Sequence, residues 1–113
     1  MKKNENNEKS PAPEFVTLRP PADVEDTESG VEIAFEMPGV KSSEIAIEAG
    51  GGMLKIEGKS SLRRKGMPIV FKRSFYISDA VDVEKISASA KDGILTVSLP
   101  KAEHAIPRKI AVN

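Results

Sequence analysis

A side chain that moves protons or holds a metal is recognised by its type and its company, and this chain offers little of either. It has one histidine, His104, and no cysteine. A catalytic imidazole needs a nucleophile or an orienting carboxylate held beside it. His104 stands in the polar stretch KAEHA after the last apolar run, where nothing holds such a partner, so it reads as a surface residue. Without cysteine there is no disulfide, no thiolate nucleophile and no cysteine-type zinc site. The carboxylates are scattered and lack calcium-loop spacing. The triplet Gly50-Gly51-Gly52 lacks the Lys-Ser/Thr of a phosphate loop and opens no helical pattern, so it reads as a hairpin turn. The expectation is a protein that is not an enzyme, with no catalytic residue, cofactor or metal. Its chemistry should be that of binding.

Charge and hydropathy limit what it binds. Seventeen Lys and Arg balance seventeen Asp and Glu, so no net field draws the chain toward nucleic acid or an anionic membrane, and neither is expected as a partner. No run approaches the ~18 apolar residues of a membrane span. The opening MKKNENNEKSPAPE has no apolar stretch behind its lysines and is not a secretory signal. A soluble cytoplasmic protein is expected. At 113 residues with 39% hydrophobic content, there is room for one domain with one modest core.

The elements that would build that domain alternate with period two. In VEIAFEM, residues 31–37, Val31, Ile33, Phe35 and Met37 face one way and Glu32, Ala34 and Glu36 the other. That is a strand with one wet face, stopped by Pro38-Gly39. IAIE (45–48) and MLKIE (53–57) flank the glycine triplet as a hairpin whose turn needs positive φ. KSSLRRKG reads as a polar loop, and IVFKRSFYI (69–77) as the longest strand. ISASA (86–90) leads through an Asp92-Gly93 turn into ILTVSLP (94–100). No window carries a clean 3.6 period, so little helix is expected. Short strands separated by Gly and Pro turns predict an all-β antiparallel sandwich or barrel. Its bounds are 19–101, between a short disordered N-terminal arm (1–18) and a C-terminal extension (102–113).

Three features exceed a plain sandwich. Arg73 interrupts the apolar row Ile69, Phe71, Phe75, Ile77 on the long strand. Either its stem packs while its head reaches water, or it meets a carboxylate across a subunit contact. Leu62-Arg63-Arg64-Lys65 lies near Phe71, Phe75 and Tyr76, a mixture that on an oligonucleotide-binding barrel would stack single-stranded nucleic acid. Against that reading, the phenylalanines fit the apolar row. The third feature is the pair Ile110 and Val112, two β-branched apolar residues just past Pro107. A frayed end gains nothing from them in water, so they form a strand or plug a groove.

At this point the residues resemble a known family. ASAKDGILTVSLPK, 88–101, is similar to the signature of the small heat-shock protein (alpha-crystallin/Hsp20) family, with Ala88, Gly93, Ile94, Leu95, Pro100 and Lys101 in register. EMPGVKSSEIAIEA resembles the family's "LPGV" turn and the strand after it, and MLKIEGK its strand ending in Gly-Lys. FKRSFYI resembles the Phe-x-Arg-x-aromatic strand, and Ile110-Ala111-Val112 the C-terminal Ile-x-Ile/Val motif.

The resemblance implies an immunoglobulin-like sandwich, the alpha-crystallin domain. Its tail motif would dock in an apolar groove between strands 45–48 and 86–90, with Ile45, Ile47, Ile86 and Ala88 as lining candidates. Phe71, Arg73 and Phe75 become candidates for a homodimer interface. Residues 59–68 are too few for the strand-bearing loop that bacterial and plant-type members exchange, so edge-to-edge antiparallel pairing of the 69–77 strand is expected. The implied activity is that of an ATP-independent holdase, which binds unfolding client proteins and self-associates into dimers and larger homo-oligomers. Two rivals stand beside it. One is a p23-like co-chaperone sandwich that binds a folded partner, and the other the oligonucleotide-binding barrel.

Overall fold

The structure is a computed structural model that describes residues 14–105 and 107–113. Among these residues, eight strands form two four-stranded sheets. The first has the order β1-β6-β5-β4, with β1 Val16–Leu18, β4 Val40–Gly50, β5 Met53–Arg64 and β6 Met67–Tyr76. The second has the order β2-β3-β8-β7, with β2 Ala22–Thr27, β3 Gly30–Glu36, β7 Ser87–Lys91 and β8 Ile94–Pro100. Every pairing is antiparallel except β1 with β6. The only helical pieces among the described residues are two three-residue 3-10 turns, Val83–Lys85 and Glu103–Ala105. No helix among them is long and apolar enough to cross a membrane.

The core follows from the alternation. Ile33 and Phe35 from β3 meet Leu95, Val97 and Leu99 from β8 on one side, and Leu54, Ile56, Ile69 and Phe71 close it from the other sheet. Phe35 is fully buried and stands edge-on to Phe75, centroids 5.7 Å apart. The hairpin turns form where glycine was placed. Gly51 and Gly52 adopt φ of +59° and +79° between β4 and β5, while Asp92 and Gly93 adopt +53° and +80° between β7 and β8. A side chain at 93 would find space, its Cβ 3.5 Å from Pro38 Cα, but not a comfortable φ. Gly93→Ala is therefore expected to cost about 1–2 kcal/mol and to melt several degrees lower with an unchanged far-UV spectrum. A melting temperature equal to the parent's would contradict this.

Three stretches differ from the sequence expectation. The stretch read as a polar loop, KSSLRRKG, is a ribbon: β5 runs on to Arg64, turns at Lys65-Gly66 with φ of +52° and +80°, and returns as β6. A two-stranded ribbon with water on both faces needs no apolar alternation, so its strands carry no mark in sequence. The arm read as disordered over 1–18 contributes Val16–Leu18 to the first sheet, in parallel register with Ile69–Phe71. Leu18 packs against the core, which gives so short a strand its hold. Residues 1–13 of that arm lie outside the described residues. β2 has no counterpart in the sequence reading, because its acids Asp23, Glu25 and Asp26 leave no apolar row.

Candidate docking groove and tail

Two stacked sheets have two lateral seams, and this chain closes one of them. Between β1 on the first sheet and β2 on the second, the segment Arg19-Pro20-Pro21 crosses the sandwich. Pro20 is buried there, its carbonyl accepts a hydrogen bond of 2.7 Å from Arg73 Nη1, and the Glu36 amide donates to Pro21 O at 3.0 Å. The guanidinium carbon of Arg73 lies 4.9 Å from the centroid of the Phe75 ring, within cation–π range. Arg73 Nε is buried with no acceptor among the described residues. The arginine thus does something neither sequence reading foresaw. It ties the N-terminal crossing to β6 inside its own protomer.

The opposite seam lies between edge strands β4 and β7, and the chain passes near it at Met37-Pro38-Gly39 on its way from β3 to β4. A cleft of about 180 Å³ opens there, lined by Met37, Val40, Ile45, Ala90 and Leu95, with Lys41, Lys91 and Asp92 also at its wall. Of the groove candidates, Ile45 lies in this cleft, while Ile47 and Ile86 are half-buried against the core nearby. Ala88 is exposed on β7. Ala90, Val40 and Leu95 line the cleft without having been picked out. Ala90 was within reach, because it continues the every-second-residue row of Ile86 and Ala88.

The tail does not fill its own groove. Residues 107–113 form neither strand nor helix, and Ile110 and Val112 are 78% and 93% exposed. Such exposure of two β-branched side chains two residues apart has a simple geometric meaning. In an extended segment both point the same way, with Ala111 turned outward.

The remaining candidates separate. Phe71 is buried in the protomer's own core, which leaves its backbone, on the β6 edge, as the part of it that a neighbour could meet. Phe75 is half-buried beneath Arg73 and against Phe35. In the signature, Ala88 and Gly93 serve β7 and its turn, Ile94 and Leu95 open β8, and Pro100 closes it. Lys101 forms an isolated bridge with Val81. The basic cluster sits exposed on the ribbon, where Arg63 Nη1 bonds Gly66 O at 2.7 Å. Tyr76, 90% exposed, ends β6 at the far side, roughly 30 Å along the strand from Met67 at 3.3–3.4 Å per residue. The ribbon's cations and the exposed aromatic are not brought together as a stacking surface. His104 is exposed in the turn Glu103–Ala105. Among the described residues, no three His, Cys, Asp or Glu side chains are grouped to hold a metal.

Comparison with known proteins gives the family. The family model described as Hsp20/alpha crystallin family matches residues 23–113. The chain belongs to the Hsp20/alpha-crystallin family. Among its relatives, the 17.7 kDa class II heat shock protein of Arabidopsis thaliana is 35% identical over 101 residues, 79% of this chain and 65% of that protein. Small heat shock protein C4 of Rickettsia felis is 30% identical over 106 residues, 85% of this chain and again 65% of the relative. The chain thus spans a little under two thirds of these relatives' length. The solved structure of heat shock protein 16.0 from Schizosaccharomyces pombe superposes with a TM-score of 0.66 at 30% identity, covering 85% of this chain and 99% of that one. A small heat-shock protein from Xylella fastidiosa shares the fold with a TM-score of 0.67 at 24% identity, covering 85% and 97% of the two chains.

Proposed function

We propose that this chain is an ATP-independent holdase of the cytoplasm, a binding protein and not an enzyme, which holds unfolding proteins on apolar surface that its own tails cover only weakly. The observation that carries the reading is that one chain has both an exposed apolar pair, Ile110 and Val112, and a cleft lined by Ile45, Val40 and Ala90 that the pair does not line. Burying one such side chain stabilises by ~1.5–3 kcal/mol before ordering costs are subtracted. Two knobs therefore give a contact too weak to hold alone but sufficient when several act in one assembly. Subunits joined in this way exchange, and each exchange uncovers a groove that an extended apolar segment of a client can enter. Dimers would form first, through antiparallel pairing of β6 with a second copy, and tails would link dimers into larger homo-oligomers. A p23-like module that binds one folded partner has no use for the exposed Ile-x-Val pair, which favours the self-associating reading.

The test is physical recovery of the complex. An aggregation-prone client heated with this protein and no nucleotide should elute from a sizing column as a soluble joint species. Client found wholly in the pellet, with the protein alone in the soluble fraction, would refute the holdase reading.

A further inference from the structure

The first sheet has two outer strands, β4 at the open seam and β1 at the other side. Without β1, the second edge would be β6, a continuous strand of ten residues. β1 covers only part of it: Val16, Thr17 and Leu18 pair with Ile69, Val70 and Phe71. Among the described residues, no strand pairs with the stretch from Lys72 to Tyr76 on that side, and Arg73 within it is tied by Nη1 to Pro20 O. Pro20 is the residue on which the chain leaves β1 for β2.

We infer that the surface through which one copy of this chain pairs with a second is the whole edge of β6, and that β1 is a displaceable cover over it. The inference rests on the self-association proposed above and names the segment that controls it. Area is the first argument. A stable interface buries about 800 Å² on each partner, and a free edge of five residues is short for that, whereas uncovering β6 doubles the ladder. The hold of the cover is the second. β1 is three residues long and parallel, a pairing slightly weaker per residue than an antiparallel one. The third is Arg73, whose Nε is buried with no acceptor among the described residues while β1 is in place. A buried donor left without a partner beside the crossing costs free energy in the covered arrangement. Covered, the edge is protected from indiscriminate strand pairing. Uncovered, its N–H and C=O groups are free for an antiparallel copy.

The chain has no cysteine, so a single engineered disulfide can hold the cover shut. Thr17 and Val70 are direct partners in the β1–β6 register, and adjacent strands about 4.7–4.9 Å apart fall within the Cα separations of ~4.4–6.8 Å that a disulfide spans. Thr17→Cys/Val70→Cys, built on Ile110→Ala/Val112→Ala so that tails do not contribute, is followed by sedimentation with and without dithiothreitol. The oxidised form is expected to dimerise at least roughly tenfold more weakly than the same sample reduced. In the opposite direction, Leu18→Ser loosens the cover and is expected to tighten dimerisation. Equal dimerisation in both redox states, with Leu18→Ser no tighter, overturns the cover while leaving self-association intact. A monomer in both states overturns the self-association reading and the cover with it. A reduced monomer that captures more client than the oxidised one would assign the edge to client strands and overturn its assignment to a second copy.

Discussion

Replacing Ile110 and Val112 together by alanine is expected to reduce every assembly larger than a dimer to dimers. Both side chains are exposed in the protomer, so the change costs the isolated fold nothing. Each contact between tail and groove loses most of ~3–6 kcal/mol of gross apolar burial, which exceeds what remains after ordering a flexible tail. Because such contacts act in parallel, their joint loss multiplies across an assembly. Size-exclusion profiles over a range of concentrations measure the effect. Profiles of variant and parent that coincide throughout would mean that the tail does not link dimers.

The second large effect is expected at Arg73. Arg73→Ala removes a hydrogen bond to Pro20 O in which the donor is charged, an interaction worth about 1.5–3 kcal/mol. It also strips the face of Phe75 of its cation. The crossing between β1 and β2 then loses its tie to β6, and the melting temperature is expected to fall by roughly 4–8 °C for each kcal/mol in a domain of this size. Arg73→Lys keeps a charged donor but not the planar fork, and should recover part of the loss. Sedimentation supplies the second readout. If the arginine instead met a partner's carboxylate, Arg73→Ala would leave that charge unpaired at about 3–5 kcal/mol, and the dimer would weaken more than the fold. Unchanged melting with a weakened dimer would contradict the role within the protomer.

How much of this could be read from the residues alone depends on whether an element has one wet face. β3 and β8 were legible because water on one side and core on the other enforce alternation; Ile33, Phe35, Leu95, Val97 and Leu99 sit where that pattern puts them. β2 was not legible. It is an outer strand whose residues are exposed from Asp23 to Thr27, so acids at successive positions cost nothing, and even Val24 is 60% exposed. The β5–β6 ribbon was hidden for the same reason, and β1 because three residues carry no period. The turns were legible because Gly51-Gly52 and Asp92-Gly93 supply the positive φ that two-residue hairpins need.

The site divides along a similar line. The tail motif is local, and its two knobs are visible in a string of three residues. The groove is assembled from β4 and β7, which belong to different sheets, so only Ile45 of the proposed lining falls in the cleft. The partner of Arg73 could not be read at all. Pro20 lies 53 residues away in sequence, and a backbone carbonyl leaves no signature in residue types.

Light scattering of a heated, aggregation-prone client tests the central claim most directly. The client is titrated with this protein in the absence of nucleotide, beside a variant in which the groove is made polar by Ile45→Asp. The parent should suppress scattering in proportion to its concentration, and the groove variant, folded by circular dichroism, should suppress it far less. Scattering that rises with the parent present as it does for the client alone would contradict the account.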